Sequence, residues 1–141
     1  VCVLLIIIFS AILILILNPF LAFFFKISNN DSVQGLNNIE LFVFSVILAP
    51  FIETLFFLFV PMKIFENRNI NKIGVGIVAT ILFALTHCYS LNYVFFSFFM
   101  GLYLLFAFFL FTRKTNINTA FWAVSVVHLL NNLYFFLLAT F

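Results

Sequence analysis

The chain of 141 residues is 67% hydrophobic and only 7% charged, with 25 Phe, which is more apolar mass than a soluble domain can hide in one core. Its formal net charge of +2 is small and sits in short polar breaks, so it excludes a nucleic-acid-binding surface and bears on membrane topology instead. Cys2 and Cys88 lie in apolar stretches without CxxC or Cys/His ligand spacing, and are read as small packing or lipid-facing residues.

Five apolar stretches approach the ~20 residues needed to cross a hydrocarbon core. They run over residues 1–25, 39–62, 73–89, 92–112 and 119–140, the third being at the short end of the range. Backbone groups cannot hydrogen-bond to lipid, so each is expected to be a helix. The fold class is therefore all-α, a polytopic transmembrane bundle forming one integral membrane domain. The chain opens on Val1 rather than Met, which leaves room for residues upstream. The first stretch lacks a basic leader and a small-residue cleavage site, and reads as a span rather than a signal peptide.

The breaks between spans alternate in charge. Lys63, Arg68 and Lys72 fall in the second break and Arg113 and Lys114 in the fourth, whereas the first offers Lys26 against Asp31 and Glu40. The positive-inside rule then puts the second and fourth breaks in the cytoplasm, the N-terminus inside and the C-terminus outside. The high Phe, Ile and Asn usage leans toward an AT-rich genome and so toward a bacterial plasma membrane.

Polar residues within the spans are few. Glu53, in LFVFSVILAPFIETLFFLFVP, is the only carboxylate inside a membrane-length apolar segment. A charge at that depth costs at least ~2.5–3.5 kcal/mol on insertion scales, so it is rarely kept without a partner or a task. Pro50, three residues earlier, deletes a backbone donor and is expected to bend the helix. In the third stretch, Phe83 and His87 are i and i+4, so the ring can orient the imidazole and keep bulk water from it. In the fifth, His128 and Asn132 are again i and i+4; Asn131 stands beside them, and Ser125, a turn earlier, is placed to support the imidazole. Counted from the basic side, Glu53 and His128 come out ~14 Å deep and His87 and Asn132 ~20 Å deep. Three spans thus deliver polar groups to two adjacent layers near mid-membrane.

Glu53 with Thr54, Phe83 to His87 and His128 to Asn132, in that order on separate spans, resemble the EExxxR, FxxxH and HxxxN/D motifs of the CAAX protease and bacteriocin-processing family of intramembrane peptidases. The resemblance covers about residue 40 to the C-terminus. It implies an endopeptidase acting on a membrane-associated or lipidated peptide, with Glu53 and His87 activating water and His128 and Asn132 stabilising the oxyanion. Thr54 stands where the family has a second acid and Leu58 where it has Arg, which leaves Thr54 as a supporting residue without the ion pair.

Glu53, His87 and His128 also make an alternative ligand set for Zn²⁺ with an open position for water, although no HExxH helix is present. The cofactor reading therefore stays open between none and zinc. Two other function classes use the same residues: a non-catalytic relative that binds a membrane peptide in an immunity or scaffold role, and a proton or ion pathway. Cys88 follows His87 directly, about 100° away around a helix, which disfavours a Cys/His nucleophile pair.

Overall fold

The structure is a computed structural model describing residues 37–140 together with Ile12 and Ile16; apart from those two positions, the expected first span, residues 1–25, lies outside the described residues. Among the described residues every regular element is helical. Four helices follow one another: α1 (Asn38–Ile64), α2 (Lys72–Thr86), α3 (Leu91–Lys114) and α4 (Ile117–Thr140). Helices α1, α3 and α4 are long and apolar enough to cross a bilayer, whereas α2 has 15 residues. At the helical rise α2 spans ~22 Å, short of a hydrocarbon core of ~30 Å. The expected third span, 73–89, is therefore overlong at its end: α2 closes at Thr86, and His87 leaves the helical region at φ −102°, ψ 39°.

The helix starts are set by local chemistry. Asn37 Oδ1 accepts from the backbone N–H groups of Ile39 and Glu40, and Glu40 Oε2 accepts from Asn37 N–H, a reciprocal capping box for α1. Asn71 caps α2 through Ile73 N–H, and Ser90 caps α3 through Tyr93 N–H. Asn116 Oδ1 accepts from Thr119 N–H to start α4.

Consecutive helices pack side by side, and α4 closes the ring on α1. The core is built from Leu58 and Met62 of α1, Leu104, Leu105, Ala107, Phe108 and Phe111 of α3, and Ile117, Ala120, Ala123, Val124 and Val127 of α4. Lipid is as apolar as these side chains, so close backbone approach and shape drive the association. Two glycines allow that approach. A Cβ on Gly76 would lie 2.5 Å from Leu105 Cδ1, and one on Gly101 2.8 Å from Thr80 Cγ2. Large apolar side chains such as Phe56, Leu82, Phe106 and Trp122 point outward, as a lipid-facing surface requires.

Helix α1 is not uniform. Phe42–Leu48 and Leu55–Phe59 are π-helical, and the α-helical segment Ala49–Thr54 carrying Glu53 lies between them. The first π segment and Pro50 act together. Ala49 N–H bonds back to Phe44 C=O, one residue further than in an α-helix. In that register the next donor, due at Ser45 C=O, is the nitrogen of Pro50, which has no hydrogen. Asn132 Nδ2 of α4 supplies the missing donor at 2.8 Å from Ser45 O. The bend expected from Pro50 thus takes the form of a π register with one carbonyl tied to a neighbouring helix.

Candidate active site

Glu53 projects from α1 toward both imidazoles. His87 Nε2 lies 3.6 Å from Glu53 Oε1 and His128 Nε2 lies 3.4 Å from Glu53 Oε2. One carboxylate is thus flanked by imidazoles from the end of α2 and the middle of α4. These separations are longer than a good hydrogen bond.

The second nitrogen of each ring fixes what the first can do. His87 Nδ1 is 2.9 Å from Phe83 C=O. A carbonyl cannot donate, so Nδ1 carries the hydrogen and, in the neutral ring, Nε2 is a bare acceptor. A bare Nε2 facing a carboxylate oxygen is an arrangement in which the two groups can share one proton. His128 Nδ1 meets Thr54 Oγ1 at 3.4 Å, where both residues are buried. With the Thr54 hydroxyl donating to Nδ1, His128 keeps its hydrogen on Nε2, directed at Glu53 Oε2; the opposite tautomer would set two acceptors against each other.

Aromatic rings enclose the pair. Phe83 lies 4.7 Å from the His87 ring and 6.1 Å from the His128 ring by centroids. Tyr93 of α3 stacks on His87 at 5.9 Å and 25°, and Tyr89 meets the same imidazole edge-on. Neither tyrosine was singled out from the sequence, although two of the chain's 4 Tyr within six residues of His87 were an available signal.

Behind Glu53 lies a cavity of ≈10 Å³, about the room one water centre needs, with Glu53, Thr54, Thr80 and His128 among its lining residues. Thr80 was not anticipated either, since a threonine in an apolar helix costs little and carries no spacing signal.

Other expected site residues fall elsewhere. Asn132 does not line this cavity; its Nδ2 is engaged by Ser45 C=O, and its Oδ1 accepts from Asn131 Nδ2 at 3.4 Å. In this arrangement the Asn132 amide is engaged by the Ser45 carbonyl that Pro50 leaves without a π-register donor. Ser125 is fully buried and, among the described residues, its hydroxyl has no hydrogen-bond partner. The side-chain contact to His128 Nδ1 is made by Thr54 Oγ1. Leu58, at the expected arginine position, is packed in the core. Among the described residues no three His, Cys, Asp or Glu side chains are arranged to hold a metal ion. Glu53, His87 and His128 come together as a carboxylate between two imidazoles.

Residues 35–134, well over half of the chain, match the family described as Type II CAAX prenyl endopeptidase Rce1-like. The chain belongs to this family. The assignment agrees with the resemblance carried by Glu53, Phe83 to His87 and His128 to Asn132. At family level it supports an intramembrane protease of the CAAX type, built here as a helical membrane protein. No curated protein and no solved structure matches the chain.

Proposed function

We propose that the protein is an intramembrane endopeptidase in which Glu53 activates water for hydrolysis of a peptide bond in a membrane-associated or lipidated substrate. The observation that carries this reading is the placement of both Nε2 atoms against the two oxygens of Glu53. Water attacks the peptide carbonyl carbon and passes a proton to Glu53, while the carbonyl π electrons move to oxygen. His128 Nε2–H donates to that oxyanion, a preorganised contact in a site shielded from bulk water. The C–N bond then breaks, its electrons go to nitrogen, and the proton held between Glu53 and His87 is delivered to the leaving amine. Asn132 acts one step removed, by holding the bent part of α1 from which Glu53 projects.

The basic residues Lys63, Lys72, Arg113 and Lys114 lie at the ends of helices on one side of the bundle, and this supports a cytoplasmic location for that side. The opposite side, with the α2–α3 turn, then faces outward.

One observation favours a second reading. Burial of Leu58 in the core removes the arginine the family places one turn after its acids, so a peptide-binding relative without turnover is the main rival. Cleavage of membrane-associated peptides separates the two. Loss of cleavage in Glu53→Gln and His87→Ala supports the peptidase; a Glu53→Gln protein that keeps the full cellular effect supports binding.

A further inference from the structure

We infer that Thr80 is the residue that holds the hydrolytic water against Glu53. This rests on Glu53 being the base. Threonine inside a helix ordinarily donates its hydroxyl to a carbonyl one turn back. Thr86, Thr112 and Thr115 do so here, with Oγ1 2.7–2.8 Å from Phe83, Phe108 and Phe111 carbonyls. Thr80 does not. It is 1% exposed, and its Oγ1 has no hydrogen-bond partner among the described residues. A buried hydroxyl left unpaired is costly, so its presence calls for a partner.

The hydroxyl lines the ≈10 Å³ cavity it shares with Glu53, Thr54 and His128. That volume suits one water, and these polar groups provide the two to four partners a buried water needs. The rotamer is held from the other side. The Thr80 methyl packs against Gly101, where even a Cβ would come within 2.8 Å of Cγ2. The Thr54 hydroxyl is directed at His128 Nδ1, so its hydrogen is not available to the water, while Thr80 and Glu53 offer lone pairs to the two water hydrogens. A water so held gives one hydrogen to Glu53 and one to Thr80 Oγ1, and keeps a lone pair for the substrate carbonyl. Thr80 is thus a positioning residue acting through the water.

Thr80→Val keeps the shape and removes the hydroxyl; Thr80→Ser keeps the hydroxyl. The expected result is an ordered water within hydrogen-bond distance of both Thr80 Oγ1 and Glu53 in an experimental structure of the wild-type protein in lipid, absent in Thr80→Val. In cleavage assays Thr80→Val is expected to lower kcat ~10-fold or more with KM within about twofold, and Thr80→Ser to restore most of it. A dry cavity, or a Thr80→Val protein with a raised Tm and unchanged kcat, overturns the inference, since removing an unsatisfied hydroxyl from a dry site stabilises the fold. The structural comparison needs no turnover, so it decides the water site even if no peptide is cleaved.

Discussion

Thr54 illustrates how a single replacement can redirect an imidazole. An acid at this position would accept a hydrogen from His128 Nδ1 and leave Nε2 bare or the ring charged, whereas a hydroxyl can donate to Nδ1 and keep the hydrogen on Nε2, where an oxyanion needs it. Nitrogen NMR of the His128 ring is expected to show the Nε2–H tautomer in wild type and in Thr54→Ser, and a mixture in Thr54→Val. The Val variant is expected to lose ~10- to 100-fold in kcat, below the ~10²–10³ cost of deleting an oxyanion donor outright. An unchanged tautomer and unchanged kcat in Thr54→Val would remove Thr54 from the machinery. Much of this site was legible in the sequence because a carboxylate and two imidazoles are conspicuous in apolar spans. Thr54 and Thr80 were harder to read, because a hydroxyl in a helix has a default partner in its own backbone and only coordinates show whether it uses it.

At the scale of elements, α1 departs most from what periodicity predicts. Its length and Pro50 were readable, and a bend was expected; the π register was not, because a run such as FVFSVIL looks alike at 3.6 and at wider spacing. The consequence is the tie from Asn132 Nδ2 to Ser45 C=O. Asn132→Ala is expected to destabilise the protein by about 1–2 kcal/mol, toward the upper end for interhelical hydrogen bonds in membranes, because Ser45 C=O has no backbone donor to fall back on. In a Pro50→Ala background, residue 50 regains its N–H, and the cost of Asn132→Ala should fall to a few tenths of a kcal/mol by unfolding in lipid or detergent. Equal costs in both backgrounds would show that Pro50 and Asn132 are not coupled.

For the whole molecule, the short α2 is the element that departs from a full span. Among the described residues three helices are long enough to span and α2 is not; it ends at Thr86 and leaves His87, Cys88 and Tyr89 in the turn before α3. Cys88 is exposed in that turn and reports on it. With Cys2 replaced by Ser, a membrane-impermeant maleimide is expected to label Cys88 from outside intact cells and not from the cytoplasmic side of inverted vesicles; the reverse pattern would invert the topology. The four helices over residues 39–140 were legible in the hydropathy, but His87 reads as part of a span, because apolar residues continue past the point where the backbone turns.

The central assignment, Glu53 as the base of a peptide hydrolysis, is tested most directly by incubating purified protein in lipid vesicles with a lipidated C-terminal peptide in ¹⁸O-labelled water. Wild type is expected to release two fragments with one ¹⁸O in the new carboxylate, and Glu53→Gln to lower kcat by ~10³-fold or more while still binding the peptide. Cleavage by Glu53→Gln at the wild-type rate would contradict the assignment.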